Sequence, residues 1–150
     1  MIVLFAFRHH LAAFTLVAAI ALEFVLLRGE LTIWNARRLQ VADMVLGTAA
    51  TILLLVGLAR VFWFEKGAGY YFHSWPFIGK LGMFTLVALL SIHPTVSFVK
   101  WGQALKQGRT PVVDAAAQRK LRRLIHAELG GVVLILLFAA MMARGIGFFG

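Results

Sequence analysis

Hydrophobic residues along the chain fall into four long runs separated by polar and basic segments. The runs extend over about residues 2–27, 41–64, 77–99 and 124–143. Each is as long as the stretch of about 20 apolar residues with which a helix crosses a bilayer, and none alternates like a barrel strand. Lipid offers open backbone no hydrogen-bond partner. The pattern therefore predicts an all-α integral membrane four-helix bundle in one domain, residues 1–150, with a kink at Pro94.

The composition supports a membrane protein and excludes other classes. Of the 150 residues, 61% are hydrophobic and 14% are charged, whereas soluble domains have about 25% charged residues. A soluble globular protein and a disordered protein are both excluded. The chain has no cysteine, so it has no disulfide and no thiolate metal site. Anionic lipid headgroups explain the net charge of +9 better than nucleic acid does, because the basic residues cluster beside the apolar runs.

Basic residues are concentrated in two of the three segments that separate the runs. They are Arg28, Arg37 and Arg38 in the first segment, and Lys100, Lys106, Arg109, Arg119, Lys120, Arg122 and Arg123 in the third. The second segment holds one basic residue, Lys66, which lies next to Glu65. The positive-inside rule therefore predicts a multi-pass protein of the bacterial cytoplasmic (inner) membrane with both termini periplasmic. The stretch from Asp114 is predicted to extend the fourth helix into the cytoplasm.

Ionisable residues interrupt the apolar runs at two depths. Arg8, His9, His10, Arg60 and Lys80 lie near the outer end, and Glu23, Asp43, His93, His126 and Glu128 lie towards the inner end. Because such residues are costly inside a membrane, each is a functional candidate.

For some of these residues, a structural role is the alternative to a functional one. Arg60, Asp43 and Lys80 are near enough to the span ends for their side chains to reach headgroups. Glu23 has a short stem and needs a partner. The partners available to it are Arg28, Arg37 and His126. For His126 and Glu128, the alternative role is to cap the start of the fourth helix.

The histidines carry the sharpest chemical hypothesis. Neutral imidazole is a common axial ligand of haem iron, and a four-helix bundle offers an interior slot for the cofactor. His10 and His93 lie in apolar surroundings and are the candidate metal ligands. Their depths differ, so we expect them not to hold one iron together. His10 would instead pair with Lys80 or His9, and His93 with His126.

Short polar motifs occur in order along the chain and carry a resemblance to a known family. They are Phe7-Arg8-His9-His10-Leu11-Ala12-Ala13-Phe14, Glu23, Leu27-Arg28, Leu58-Ala59-Arg60-Val61-Phe62, Glu65-Lys66-Gly67, Tyr70-Tyr71, Lys80-Leu81, and Ile92-His93-Pro94-Thr95 with Trp101. In these motifs the chain resembles an uncharacterised bacterial family of four-helix membrane proteins, catalogued as a domain of unknown function. The resemblance spans nearly the whole chain.

A more distant resemblance is to the CopD-like superfamily, which includes the HemJ-type protoporphyrinogen oxidases. Those proteins have a first-span histidine in a Leu-His-x-x-Ala setting, and here Ala13 keeps the spacing after His10. The further matches, in order, are Trp75, Lys80 and His93, followed by Arg122, Arg123 and Glu128. The aromatic Ser-Trp segment expected after the first-span histidine is replaced by Thr15-Leu16-Val17.

The second resemblance implies haem b and oxidation of a porphyrinogen. On this basis we predict a b-type haem-binding or redox protein, and any enzymatic activity would be that of a haem-dependent membrane oxidoreductase. The residues assigned to the cofactor are His10, His93, Lys80, Arg8 and Arg60. His10 would ligate iron, Lys80 would be a second ligand or a propionate partner, and the two arginines would hold propionates. The redox partner would be a tetrapyrrole or a quinone.

The alternative function is non-enzymatic. The protein would be a membrane subunit, or a permeation protein for a metal or small solute, without haem. Its buried charges would pair to fix helix register, and His93 would be a hydrogen-bonded core residue. Gly130 and Gly131 favour close packing of helices. The small residues that favour a homo-oligomer are Gly47, Gly57, Gly79 and Gly82.

Overall fold

The computed structural model describes residues 2–64 and 68–149. Its elements are α1 (Ile2–Leu26), α2 (Ile33–Ala59) with a π-helical segment (Arg60–Phe64), α3 (Ala68–Phe72), α4 (Trp75–Lys106) and α5 (Ala115–Ala143). Four of the helices, α1, α2, α4 and α5, are long and apolar enough to cross a membrane. The described residues form no β-strand, so the predicted all-α bundle is confirmed. The motif Glu65-Lys66-Gly67 lies outside the described residues.

Helices α2 and α5 begin earlier than the apolar runs that predict them, because polar caps fix their first turns. α2 begins at Ile33, and the Thr32 hydroxyl accepts a hydrogen bond from the Asn35 backbone N–H at 3.2 Å. α5 begins at Ala115, and the Asp114 carboxylate accepts one from the Ala117 N–H at 2.6 Å. Caps of this kind satisfy N–H groups that have no partner within the helix. The predicted extension of the fourth helix from Asp114 is confirmed.

The helices follow one another around the bundle in the order α1, α2, α4, α5. α1 packs along α2, and α4 packs along α5. These two hairpins meet through fewer contacts, between α2 and α4 and between α1 and α5. The end where α1 leads into α2 and α4 leads into α5 is called the basic end. The opposite end, which holds α3 and the π-helical segment, is called the aromatic end. α4 continues through Pro94, which is buried.

The bundle is apolar outside as well as inside. Its best-packed interior lies towards the basic end, where Leu39, Phe98 and Ile125 are at most 1% exposed. In contrast, Phe14 and Trp63 are 74% and 75% exposed on the outer surface. An aqueous surface rarely carries so many large exposed apolar side chains. A bilayer is the solvent that fits this surface.

An arginine from α5 closes the basic end of the first hairpin. Arg122 donates from Nε to the Leu27 carbonyl at 2.6 Å and from a terminal nitrogen to the Arg28 carbonyl at 3.4 Å. The last carbonyls of a helix have no internal partner, and a cation there also opposes the helix dipole. Part of the cluster Arg119–Arg123, which the sequence assigns to headgroups, therefore holds α1 against α5.

The last described residues pack against the aromatic end. The Phe149 N–H donates to the His73 carbonyl at 2.8 Å, and the Trp75 N–H donates to the Gly147 carbonyl at 3.1 Å. Gly147 has φ +80° and lies against the Trp75 indole. A side chain at Gly147 would be strained by the positive φ and would collide with the Trp75 indole. These contacts place both ends of the described chain at the aromatic end.

The glycines divide between packed and open positions. Gly131 lies against Val87, and a Cβ on Gly79 would come within 3.1 Å of the Phe138 ring. These two glycines let α4 and α5 approach closely, so the predicted packing role of Gly131 is confirmed. Open space faces Gly47, Gly82 and Gly130, so the predicted packing role of Gly130 is wrong.

Candidate functional site

Three carboxyl side chains from three different helices lie buried in the half of the bundle nearer the basic end. Glu23 on α1 and Glu128 on α5 are 0% exposed, and Asp43 on α2 is 8% exposed. The three carboxyl groups are close enough to one another for electrostatic interaction in all three pairings. They are therefore one group, which we call the carboxyl site. The alternative that Asp43 reaches headgroups is wrong, because its side chain is enclosed between helices. The alternative that Glu128 caps the start of the fourth helix is also wrong, because Glu128 is buried in the interior and Asp114 caps α5.

The fourth helix, α4, contributes hydroxyl groups to the carboxyl site. Ser91 donates to a carboxylate oxygen of Glu128 at 2.8 Å, and Thr95 donates to Oδ1 of Asp43 at 2.7 Å. Ser91 and Thr95 are four residues apart and lie on one face of the helix. α4 thus orients the carboxylates of α2 and α5, and the site draws on all four long helices.

Three oxygens of the carboxyl site have no hydrogen-bond donor among the described residues. They are Oε1 and Oε2 of Glu23 and Oε1 of Glu128. The predicted pairing of Glu23 with Arg28 is not formed, since the Arg28 guanidinium lies 4.6 Å above the Phe24 ring. Buried polar atoms are nearly always satisfied because burying them unpaired costs about 1–3 kcal/mol each. The site therefore contains more carboxyl oxygens than the described residues supply with hydrogen-bond donors.

An apolar cavity of about 330 Å³ adjoins the carboxyl site between the four long helices. Its polar wall consists of Asp43, Ser91 and Thr95. The remaining wall is aliphatic or aromatic, with Leu16 from α1 and Phe84 from α4 among its side chains. A pocket with an apolar body and a few converging polar groups is typical of small-molecule sites.

The histidines within the spans lie mainly on the outer surface. His10 is exposed, and its Nδ1 hydrogen-bonds the Ala6 carbonyl at 2.7 Å. His93 is also exposed, so the prediction of a core residue is wrong for it. His126 is exposed, with its ring centroid 5.6 Å from that of Phe24.

His9 is the histidine of this region that faces another helix. A Cβ on Gly57 of α2 would lie 3.2 Å from its Cε1, so the glycine makes room for the imidazole. His9 and His10 have ring centroids 6.3 Å apart in an edge-to-face arrangement.

The predicted cationic partners lie near the aromatic end. Arg8 is exposed, whereas Arg60, in the π-helical segment, and Lys80 are half-buried. In the part of the chain that the structure describes, no group of three or more His, Asp or Glu side chains is arranged to hold a metal ion.

Sequence reasoning missed that Asp43, Ser91 and Thr95 share a site with the two glutamates. The signal available was the spacing of inward positions. On α5 the buried residues Leu121, Ile125, Glu128 and Val132 recur at intervals of four, three and four. Glu23 on α1 follows the same spacing from Leu16, Ala19 and Ile20. His10, His93 and His126 fall outside such stripes.

The comparisons with known proteins agree with the membrane architecture. No curated protein and no solved structure matches the chain, and so the resemblance to CopD-like proteins finds no support there. A family model described as predicted membrane protein (DUF2214) matches residues 2–147. Because this match covers nearly the whole chain, the protein belongs to the DUF2214 family of predicted membrane proteins.

Proposed function

We propose that the protein binds a lipophilic ammonium compound, that is, an apolar molecule bearing a protonated amine, in the cavity beside the carboxyl site. The observation that carries the proposal is a carboxyl group, Asp43, in the wall of an apolar cavity, with the unpartnered oxygens of Glu23 and Glu128 in the same carboxyl site. An ammonium group offers both positive charge and N–H donors. Both are complementary to carboxylates in a medium of low dielectric constant.

The hydrogen-bond directions favour a donor ligand over a quinone. The hydroxyls of Ser91 and Thr95 are already donated to Glu128 and Asp43. A quinone presents only carbonyl acceptors, which would meet further acceptors at this wall of the cavity. The amine would bind at Asp43, the carboxyl group that lines the cavity, while Ser91 and Thr95 hold the carboxylates in place. Glu23 and Glu128 belong to the same carboxyl site and are not among the residues that line the cavity.

The proposal is tested by binding of a matched pair of ligands. A fluorescent aromatic primary amine and its N-trimethyl analogue carry the same charge, but only the first has N–H donors. Equilibrium titration of the purified protein is expected to show tighter binding of the primary amine. Asp43→Asn should weaken that binding by about tenfold or more, the usual effect of losing a charge-assisted hydrogen bond.

The control variant is His93→Gln, which changes a polar side chain outside the cavity and should bind as the wild type does. Ala50→Phe, which places a ring in the cavity wall, should also abolish binding. The proposal fails if Asp43→Asn, folded by circular dichroism, binds the amine with wild-type affinity.

Haem b is the second candidate, and one observation favours it. Because a carbonyl only accepts hydrogen bonds, Nδ1 of His10 carries the proton in its bond to Ala6, which leaves Nε2 for a metal. His10 faces outwards, so the haem would lie on the lipid-facing surface or between copies of the protein. Lys80, Arg8 and Arg60 would then hold its periphery, with a tetrapyrrole or a quinone as redox partner.

An optical spectrum of the purified protein, oxidised and then reduced with dithionite, tests this second candidate. A Soret band that shifts on reduction and is lost in His10→Ala would support it. A flat spectrum from cells supplied with haem would exclude it. His10→Gln is the conservative comparison, because it keeps a polar side chain at the same place.

We also propose that the protein lies in a bacterial inner membrane with its basic end in the cytoplasm. The support is the basic character of the segments at that end. The chain has no cysteine, so Arg109→Cys introduces a single thiol at this end. It should react with an impermeant maleimide only after the cells are opened. Labelling in intact cells would reverse the orientation.

A further inference from the structure

A second recess lies on the membrane-facing side of the bundle, between α2 and α4. This α2/α4 groove has a volume of about 1130 Å³ and shares Asp43 and Thr95 with the interior cavity. It occurs where the two hairpins meet, at one of the less intimate helix contacts of the bundle. The groove therefore runs along the surface of the bundle between α2 and α4.

The groove is basic at one end and mainly apolar beyond it, where its polar lining side chains are Asp43, Thr48, Thr51 and Thr95. Arg37 of α2 and Lys106 of α4 line the end nearest the basic end of the bundle. Towards the middle of the membrane the walls include Met44, Ile52 and Val99. A charged mouth that leads into an apolar trough has the dimensions and polarity of a lipid headgroup followed by an acyl chain.

Polar side chains fix the shape of the basic mouth. Arg37 donates to the Leu105 carbonyl at 3.4 Å, which holds its guanidinium beside the last turn of α4. Gln40 donates across the groove to the Phe98 carbonyl at 2.6 Å. A Cβ on Gly102 would lie 3.3 Å from the Gln40 amide nitrogen, so the glycine makes room for this bridge.

From this arrangement we infer that the α2/α4 groove is a specific site for an anionic phospholipid. The phosphate group would lie between Arg37 and Lys106, and one acyl chain would follow the groove past Val99 towards Thr95. Charge complementarity selects this occupant over a second copy of the chain, because another basic end would bring like charges together at the mouth. Arg38 and Lys100 would strengthen the attraction for an anionic headgroup.

The inference is tested by native mass spectrometry of the full chain with lipids. Delipidated protein would be titrated with phosphatidylglycerol and phosphatidylcholine of identical acyl chains. We expect one phosphatidylglycerol to be retained in preference. The double variant Arg37→Gln/Lys106→Gln should lower this retention about thirtyfold, as expected for losing two basic contacts near a membrane surface.

The matched control is Arg119→Gln/Lys120→Gln, which removes the same charge from exposed positions of α5 and should retain the lipid. Equal losses in the two double variants would overturn the specific site and leave only diffuse attraction. A dimer that forms without bound lipid and is lost in Gly47→Leu, a position facing open space in the groove, would also overturn it. Lys106→Gln alone, which leaves the Arg37 bridge intact, keeps the test valid if the double variant is unstable.

Discussion

Glu128 and His126 lie two residues apart on α5, yet they meet different environments. Glu128 is fully buried and accepts a hydrogen bond from Ser91, whereas His126 is exposed on the outside of the bundle. The same contrast separates Glu23 from His10 on α1. The presence of an ionisable residue in a span therefore says little about its role until its helix face is known. Among the described residues, the polar and charged side chains that are buried bear carboxyl or hydroxyl groups.

The largest effect is expected on the free energy of unfolding when the buried Glu23 is replaced. A buried, unsatisfied carboxyl group costs about 1–3 kcal/mol, and an apolar side chain of similar size removes that cost. Glu23→Met should therefore raise the free energy of unfolding in detergent, measured by denaturant titration. His10→Met, on the outer face of the same helix, should change it by less than about 0.5 kcal/mol. Destabilisation by Glu23→Met would show that Glu23 has a favourable partner.

The next expected effect is at the hydroxyl groups of α4. Ser91→Ala leaves one more buried oxygen of Glu128 without a donor, which costs about 1–3 kcal/mol. The control is Thr85→Val, because the Thr85 hydroxyl donates to the Leu81 carbonyl of its own helix at an exposed position. The same unfolding titration should separate the two variants clearly. Equal stabilities would mean that the Ser91 bond to Glu128 does not contribute.

The third comparison is between alanine variants of two neighbouring glycines, Gly131 and Gly130. Gly131→Ala adds a methyl group against Val87 of α4, and overpacking of this kind costs about 1–3 kcal/mol. Gly130→Ala meets open space and should be neutral or slightly stabilising, because alanine favours the helix. Thermal unfolding followed by circular dichroism is sufficient to rank them. A reversed order would contradict the assigned inward face of α5.

The smallest expected effect concerns two adjacent arginines. Arg122→Gln removes the hydrogen bonds to Leu27 and Arg28 and should cost about 1 kcal/mol, in line with a cation at a helix C-terminus. Arg123→Gln changes an exposed residue and should cost less than about 0.5 kcal/mol. Both variants lower the net charge equally, so their difference in midpoint denaturant concentration reports the α1–α5 connection alone. Identical midpoints would remove this role from Arg122.

The membrane fold follows directly from the sequence, whereas the helix faces do not. Runs of about 20 apolar residues suffice to predict spans, and Asp114 marks the start of α5 as a cap. The inward face of a soluble helix is found from the contrast between apolar and polar sides. In a bilayer both sides are apolar, as Leu16 inside and Phe14 outside illustrate. That loss of contrast explains why the sequence does not show that His10 and His93 lie on the outer surface and that Asp43 is buried.

The carboxyl site also depends on contacts between residues far apart in the chain. Thr95 and Asp43 are brought together by the packing of α2 against α4. Each residue alone is unremarkable in sequence, since a threonine commonly bonds to its own helix, as Thr48 does to Met44. Spacing of inward positions identifies which side chains turn inwards, but the rotation of each helix against its neighbours decides which of them meet.

Infrared difference spectroscopy on addition of the lipophilic amine tests the central claim most directly. Carboxyl and carboxylate groups absorb at separate frequencies, so the spectrum reports whether the ligand reaches buried acids. The account predicts a ligand-induced change in the carboxyl region of the wild-type protein. The band should diminish in Asp43→Asn, Glu23→Gln and Glu128→Gln and persist in His93→Gln. A wild-type spectrum without such a change under saturating ligand, or a change that only the histidine variant removes, would contradict the account.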